Sequence, residues 1–227
     1  STAMALAKFE NMPKRKIQII YNGTKLQPEA IDAAQQRAWK AQFGFDQDTI
    51  VFGTISRLDP IKNQAMMIRA FAQVQRQLPK ARLLLIGDGP LMKELVDLSQ
   101  SLGVTDKVHF SGFVTAPQKY FSIIDVFLLP SLSEGTSMTL LEAMSYQTPS
   151  VVTAVGGNPE IVIHNETGLV IPNEDEPALV SSMLTLAEDM SLRAELGEKA
   201  GRRYLANFSE KNMVAQYEAL YRACQSN

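Results

Sequence analysis

The strongest constraint on the fold is a series of short, continuous apolar runs that alternate with longer stretches of helical spacing. The run Val126–Leu129 is apolar at every position, and Arg82–Ile86 is apolar after its first residue. A strand with one solvated face alternates apolar and polar residues, whereas a strand covered on both faces is an unbroken apolar run. We therefore predict a doubly wound α/β domain built on a parallel sheet.

Strands and helices are predicted to alternate along most of the chain, with no internal repeat and no low-complexity linker. The predicted strands are 16–21, 50–56, 82–86, 108–110, 126–129, 150–153 and 168–171. The predicted helices are 28–43, 62–78, one that starts at the turn 87–90 and ends at 102, one near 116–123, 137–146, 176–189, 191–206 and 210–223.

The stretch 133–144 follows the strand 126–129 and opens an apolar helix, with Thr136 or Ser137 at the N-cap position. A strand, a turn of small residues and a helix N-terminus together form an anion site. Free backbone N–H groups and the positive end of the helix dipole point to the same place. We therefore expect a phosphate group to bind at the start of this helix.

Two glutamates eight positions apart, Glu134 and Glu142, frame this stretch. Glu142 falls inside the apolar run 140–144, where an unmatched buried carboxylate is strongly unfavourable. The hydroxyl groups of a ribose would supply the missing hydrogen bonds. A neighbouring backbone amide or an arginine would do the same, and the sequence leaves both interpretations open.

Two cations, Arg57 and Lys62, bracket a proline-containing turn directly after the strand 50–56. Both can therefore lie over the carboxyl end of the sheet, which is where open parallel α/β sheets bind ligands. A fork-shaped guanidinium and a compact ammonium suit a diphosphate whose negative charge grows as it departs. The alternative is that both are ordinary surface charges.

Together these motifs resemble those of the retaining glycosyltransferases of family 4. Residues 57–62 are similar to the G-R-L-x(n)-K motif, and Glu134 and Glu142 match the E-x(7)-E motif. The segment 155–160 (VGGNPE) is similar to the G-G-x-P-E motif, and 165–172 (NETGLVIP) is similar to the x-x-T-G-x-L-V strand. The four motifs occur in the family's order, and the resemblance covers most of the chain.

The chain departs from the family pattern at three places. Ser56 stands where the family usually has a glycine, and Thr136 and Ser137 replace a frequent Phe-Gly pair. Lys25 stands where many members have an aspartate. The first two departures are close to the expected phosphates, so the fine donor preference stays open.

The resemblance implies a role for each site residue. Arg57, Lys62 and Glu134 form the expected catalytic set, in which the two cations neutralise the diphosphate leaving group. Glu142 holds the ribose hydroxyls, and Glu134 with the segment 157–158 faces the donor sugar. The full set of expected donor-binding residues is Arg57, Lys62, Gly87, Gly89, Phe113, Val114, Glu134, Gly135, Thr136, Ser137, Leu141, Glu142, Gly157 and Asn158.

The turn 87–90 (GDGP) also invites a dinucleotide-binding interpretation, but it lacks the third glycine and follows the second core strand. In the resembled family a similar turn flanks the nucleotide pocket. The segment 112–114 is, by resemblance, where the base packs. For Phe113, a place in the hydrophobic core is the alternative.

The resemblance implies a GT-B enzyme made of two facing Rossmann-like halves, of which this chain is the C-terminal, donor-binding half. Residues 1–22 would be the end of the linker and the first strand from the absent half, and 23–227 the donor domain. A carbohydrate or lipid-linked acceptor would bind the absent half, so the chain alone is expected to transfer little. A peripheral membrane association of the full-length protein stays open.

The implied reaction is transfer of a hexose from a nucleoside-diphosphate sugar to a glycan or lipid-linked acceptor, as in bacterial-type polysaccharide or glycoconjugate synthesis. A UDP-sugar is favoured and GDP-mannose is second. Two alternatives belong to other classes: an epimerase of nucleotide-linked amino sugars, and a non-catalytic nucleotide-sugar-binding module. Neither cofactor nor metal is expected, because the sequence has no histidine cluster. Neither His109 nor His164 has a catalytic setting.

Composition narrows the remaining functions. The net charge of −2 supplies no basic excess for nucleic acid, and the single cysteine, Cys224, cannot form an internal disulfide. No apolar run approaches the ~20 residues of a membrane span, which favours a cytoplasmic setting. The last helix, 213–223, carries an apolar stripe that either packs on this domain or promotes dimerisation.

Overall fold

The computed structural model describes residues 13, 17–25 and 33–225, and in them a six-stranded sheet forms the centre of the fold. Every pairing in the sheet is parallel, and the strand order is β3-β2-β1-β4-β5-β6. This is the doubly wound order, in which the direction of winding reverses between β1 and β4. The strands are β1 (Val51–Ile55), β2 (Arg82–Ile86), β3 (Val108–Phe110), β4 (Val126–Leu129), β5 (Ser150–Thr153) and β6 (Leu169–Ile171).

Successive residues of each central strand pack into different hydrophobic clusters on the two faces of the sheet. Phe52 and Leu83 belong to one cluster, together with Phe71 and Met183 from helices on that face. Their neighbours Val51 and Leu84 belong to the other, together with core residues from helices on the opposite face. Both faces are therefore buried, which is why the strands are continuous apolar runs.

The helices cover the sheet and leave its carboxyl edge to the connecting loops. They are α1 (Ala33–Gln42), α2 (Gln64–Gln77), α3 (Met92–Ser101), α4 (Met138–Ser145), α5 (Asn158–Ile161), α6 (Glu176–Glu188), α7 (Met190–Asn207) and α8 (Glu210–Gln225). Short 3₁₀ turns occupy Pro60–Lys62, Thr105–Lys107 and Pro117–Ser122.

Several predicted elements differ in the structure. The predicted strand 16–21 is wrong over 17–21, which lies outside the sheet, and residue 16 lies outside the described residues. The helix predicted at 62–78 is interrupted at Asn63, whose left-handed backbone (φ 53°) separates a 3₁₀ turn from α2. The helix predicted near 116–123 is a 3₁₀ turn, and residues 28–32 of the first predicted helix lie outside the described residues.

The last helix, α8, is the least buried of the long helices. None of its residues is buried, and Val214, Tyr217 and Tyr221 are exposed large side chains on it. Cys224 is exposed near its end. Among the described residues, no helix is both long and apolar enough to cross a membrane.

Candidate nucleotide-sugar site

The candidate site lies at the point where the winding of the sheet reverses. There β1 and β4 are paired neighbours, so the loops that leave their carboxyl ends lie side by side. The β1 loop carries Arg57 and Lys62, and the β4 loop carries Glu134 and leads into α4. A doubly wound sheet binds its ligands in the crevice formed at such a reversal point.

Lys62 and Glu134 are in direct contact although 72 positions separate them in the chain. The Lys62 Nζ donates to Glu134 Oε1 at 2.6 Å, and the side chains are 23% and 7% exposed. Ser131 Oγ donates to the same oxygen at 2.7 Å. The pair thus joins the β1 and β4 loops through a charged contact that is largely removed from water.

The other expected cation, Arg57, is exposed. Its guanidinium forms no ion pair or hydrogen bond with the residues that the structure describes. The loop behind it is held by Gln64, which donates from Nε2 to the Arg57 carbonyl at 2.8 Å and to Ser56 Oγ at 3.1 Å. The backbone around Arg57 is therefore fixed while its charged head is open to solvent.

Two glycines of the β5–α5 connection allow close approach to the β4 loop. Gly156 has a left-handed φ of 50°, and a Cβ there would overlap the Glu134 carbonyl. A Cβ at Gly157 would overlap the Gly135 carbonyl, which accepts a hydrogen bond from the Gly157 N–H at 3.2 Å. The GG pair is needed because the two loops touch through their backbones.

The glycines after β2 have a similar role against the β1 loop. Gly87 has a φ of 132°, and a Cβ on it would overlap the Ser56 carbonyl. A Cβ on Gly89 would overlap the Leu58 carbonyl. The structure therefore places both glycines behind the Arg57 loop, where they support its backbone.

The N-terminus of α4 lies at the same edge of the sheet. Ser137 is its N-cap and accepts a hydrogen bond from the Leu140 N–H at 3.4 Å. Of the two expected cap residues it is therefore Ser137, while Thr136 is half-buried and Gly135 is exposed just ahead of it. The first N–H groups of a helix have no partner within the helix, so this end can receive an anion.

Glu142 is half-buried on α4, and its pKa is raised above the ordinary glutamate value. Loss of solvent through burial is the main cause, and a hydrogen bond from the Gln118 side chain opposes it. Neither of the partners considered from the sequence, a backbone amide or an arginine, is the one found. Within the described part of the chain, the carboxylate therefore has a neutral partner and no cation that would stabilise its charge.

The three apolar residues of the expected donor-binding set, Phe113, Val114 and Leu141, differ in their exposure. Phe113 is 78% exposed, so the alternative of a core position is excluded for it. Val114 is half-buried against the hydrophobic cluster that contains Leu141. Leu141 is itself fully buried, so its side chain packs in the core and does not face the crevice.

Asn158, which was expected to bind the donor, is fully buried at the start of α5. Its side chain is therefore not exposed at the surface of the crevice. Its Nδ2 donates to the Thr153 carbonyl at 3.1 Å, and its buried Oδ1 has no hydrogen-bond partner among the residues that the structure describes. Thr153 Oγ1 donates in turn to the Ser131 carbonyl at 2.5 Å. Thr153 therefore ties the end of β5 to the loop that carries Glu134, and Asn158 holds the start of α5 to Thr153.

Four polar residues of this network were missed from the sequence: Ser131, Thr153, Gln64 and Gln118. A signal existed for the first two, because each is a small hydroxyl residue at the carboxyl end of a predicted strand. No local pattern marks the two glutamines. Their partners lie on other segments, and only the fold brings them together.

Both histidines lie outside this constellation. His109 is on β3, where its ring meets the edge of Phe43 at 5.1 Å between centroids, and burial lowers its pKa. His164 accepts a hydrogen bond from the Val170 N–H through Nδ1 at 3.0 Å. In the part of the chain that the structure describes, no group of three His, Cys, Asp or Glu side chains could hold a metal ion.

Comparison with known structures agrees with this architecture. The Anabaena protein Alr3699/HepE, solved in complex with UDP, superposes with a TM-score of 0.86 and 24% identity over 100% of this chain and 62% of its own. At that identity the likeness concerns the fold. It confirms the predicted fold class, a Rossmann-like doubly wound sheet of the kind found in GT-B glycosyltransferases.

Sequence relatives point to the same class of protein. N-acetyl-alpha-D-glucosaminyl L-malate synthase of Bacillus anthracis is 29% identical over 92% of this chain and 54% of its own length. A GDP-mannose-dependent alpha-(1-6)-phosphatidylinositol monomannoside mannosyltransferase of Mycolicibacterium smegmatis is 30% identical over 77% of this chain and 48% of its own. The chain therefore spans about half the length of these curated relatives. The model of the glycosyl transferases group 1 family matches residues 35–203, and the chain belongs to that family.

Proposed function

We propose that this chain is the donor-binding part of a retaining, family 4 type glycosyltransferase that transfers a hexose from a nucleoside-diphosphate sugar. The observation that carries the proposal is the meeting of Lys62, Glu134 and the N-terminus of α4 where β1 and β4 end. One edge of the sheet thus offers a cation and a set of free N–H groups for phosphate, beside a carboxylate for hydroxyl groups. Membership of the glycosyl transferases group 1 family supports the same reaction.

In this proposal Arg57 is the free phosphate ligand and Lys62 the shared one. The guanidinium of Arg57 is exposed and can form a bidentate contact with the diphosphate. The Lys62 ammonium already contacts Glu134, so the incoming phosphate must share it or draw it away. Both cations would then stabilise the charge that develops as the diphosphate leaves.

The two glutamates have different proposed ligands. Glu142 accepts hydrogen bonds from the ribose hydroxyls, since its only partner among the described residues is the neutral Gln118. Glu134 faces the sugar, since it lies beside the proposed phosphate ligand Lys62. Phe113 provides an exposed aromatic face on which the base can pack.

A UDP-sugar is the proposed donor, with GDP-mannose second. A similar structure was solved with UDP, whereas one relative is named as GDP-mannose-dependent. The proposed acceptor is a glycan or a lipid-linked sugar, bound outside this chain. Retention would follow from attack on the same face that the diphosphate leaves, with the departing phosphate accepting the proton of the acceptor hydroxyl. Positioning and electrostatics are then the main contributions of the protein.

Binding of nucleotides by this chain tests the proposal. Calorimetric titration with UDP, GDP, UDP-glucose, UDP-N-acetylglucosamine and GDP-mannose, each with and without EDTA, should show one preferred base and no effect of the chelator. The cations and the helix N-terminus take the place of a metal in this site. Binding that EDTA abolishes would contradict metal independence, and the absence of binding to every probe would contradict the proposed function.

A further inference from the structure

The carboxylate of Glu134 is held asymmetrically. Its Oε1 accepts two hydrogen bonds, one from the Lys62 ammonium at 2.6 Å and one from the Ser131 hydroxyl at 2.7 Å. Its Oε2 forms no hydrogen bond with any residue that the structure describes. Two donors therefore fix one oxygen and leave the other free to accept.

Ser131 is rigidly placed. It is fully buried directly after β4, and its carbonyl accepts the Thr153 Oγ1 hydroxyl from β5 at 2.5 Å. Thr153 is also fully buried, and its own carbonyl accepts from Asn158 Nδ2 at 3.1 Å. A chain of buried hydrogen bonds thus anchors the serine to the neighbouring strand, and the serine in turn anchors the glutamate.

We propose that Ser131 is a positioning residue that orients the Glu134 carboxylate toward the donor sugar. This inference rests on the proposed function, because it concerns the sugar-binding part of the same site. A glutamate side chain has considerable rotational freedom, and fixing it in advance reduces the entropy lost on binding. When Ser131 holds Oε1, the other carboxylate oxygen, Oε2, is left to accept a hydrogen bond from a hydroxyl group of the sugar.

The serine matters most once the donor is bound. A diphosphate competes for the Lys62 ammonium, so the ion pair to Glu134 weakens at the moment when the sugar must be recognised. The Ser131 hydroxyl is neutral and fully buried, so the phosphate does not draw it away. It keeps Glu134 in place when the lysine shifts to the phosphate.

The test compares the affinity for an intact sugar nucleotide with that for its free diphosphate. UDP-glucose and UDP serve as probes, or GDP-mannose and GDP if the chain prefers that base. Ser131→Ala should weaken binding of the sugar nucleotide by about threefold to tenfold, the effect of one hydrogen bond, and change the diphosphate by less than about twofold. Ser150→Ala is the matched control. Ser150 is an almost equally buried serine at the start of β5, at the edge of the sheet opposite the site, so its replacement should leave both affinities unchanged.

A double-mutant cycle tests whether Ser131 affects sugar-nucleotide binding through Glu134. In a Glu134→Ala background, Ser131→Ala should add nothing further to the loss of sugar-nucleotide binding, because the side chain through which the serine acts is gone. Ser131→Cys, which keeps the shape but donates weakly, gives the same comparison if the alanine variant fails to fold.

Two results would overturn the inference while leaving the proposed function intact. The first is an unchanged ratio of the two affinities in Ser131→Ala, which includes an equal loss for both ligands. The second is a full additional effect of Ser131→Ala in the Glu134→Ala background. Failure of the unmutated chain to bind any of the probes would instead overturn the proposed function, and the inference with it.

Discussion

At the scale of single residues, the two cations of the β1 loop lie in different surroundings. Arg57 is exposed, and its guanidinium has no partner among the described residues. Lys62 is 23% exposed and neutralises a glutamate that is 7% exposed. Under the proposed function, removal of the arginine takes away only a phosphate contact, whereas removal of the lysine also leaves a nearly buried carboxylate without its counter-charge.

Arg57→Ala and Lys62→Ala are therefore expected to have different effects on stability. Each should weaken nucleoside diphosphate binding by roughly tenfold or more, the effect of one charge-assisted hydrogen bond. The melting temperature should change little in Arg57→Ala and fall by a few degrees in Lys62→Ala. Calorimetry and thermal unfolding of the two variants check this.

The paired variant Lys62→Met/Glu134→Gln is the control for the stability effect. It removes both charges, so most of the lost melting temperature should return while diphosphate binding stays weak. Equal melting temperatures for Arg57→Ala and Lys62→Ala would contradict the expectation that the ion pair between Lys62 and Glu134 stabilises the fold.

The half-buried carboxyl group of Glu142 is expected to make the stability of the fold depend on pH. Burial raises its pKa, so the folded state holds the proton more readily than the unfolded chain does. Ionisation of Glu142 therefore destabilises the fold. This penalty is absent below the ordinary glutamate pKa of about 4.3 and becomes complete as the pH rises through the raised pKa.

Glu142→Gln should accordingly raise the melting temperature at neutral pH and lower the affinity for a nucleoside diphosphate. The gain in stability should disappear as the pH falls toward about 4, where the wild-type carboxyl is also neutral. Unfolding at several pH values and titration with UDP and GDP measure the two effects. If the gain in melting temperature of Glu142→Gln over the wild type were larger at acidic than at neutral pH, the pKa of Glu142 could not be raised in the folded state.

At the scale of secondary-structure elements, the close approach of the β4 and β5 loops depends on glycines. Gly157→Ala should lower stability and displace the loop that carries Glu134, because the added Cβ overlaps the Gly135 carbonyl. Gly135→Ala is the matched control in the facing loop, since an added Cβ there meets no atom within 4 Å. Thermal unfolding should separate the two, and equal melting temperatures would mean that the loops adjust without cost.

The strands were predictable from the sequence because both faces of the sheet are buried. Residues 83–86 and 126–129 alternate between two hydrophobic clusters, so each position had to be apolar. The start of α2 was less predictable, because a left-handed Asn63 interrupts a pattern that is otherwise helical. Nothing in the local apolar spacing distinguishes a 3₁₀ turn followed by a helix from one continuous helix.

The candidate site was predictable at the level of loops and less so at the level of contacts. The positions of Arg57, Lys62 and Glu134 at strand ends follow from the alternation of strands and helices. The contact between Lys62 and Glu134 depends on β1 and β4 being neighbours, and strand order is not readable from strand lengths. The burial of Leu141 and Asn158 likewise depends on which face of a helix meets the sheet.

At the scale of the whole molecule, burial is uneven. The strands β1 and β4 are buried at every position, whereas α8 has no buried residue. Local opening requires less free energy where few apolar groups must be exposed. We expect amide hydrogens of α8 to exchange much faster than those of β1 and β4, as measured by hydrogen–deuterium exchange with mass spectrometry. Similar protection across the three elements would show that α8 is held by contacts outside this chain or by association of two copies.

The strand order also has a consequence for how the protein is made. Lys62 emerges from the ribosome 72 residues before Glu134, and in the interval β2 can pair with β1 and β3 with β2. At roughly 5–20 residues per second, that interval lasts about 4–14 s. For this time the other edge of β1 lacks its β4 neighbour in the nascent polypeptide, and the lysine lacks its counter-ion. Under the proposed function, nucleotide binding can begin only when synthesis has passed β4 and α4, so a stalled ribosome would display half a sheet and an incomplete site.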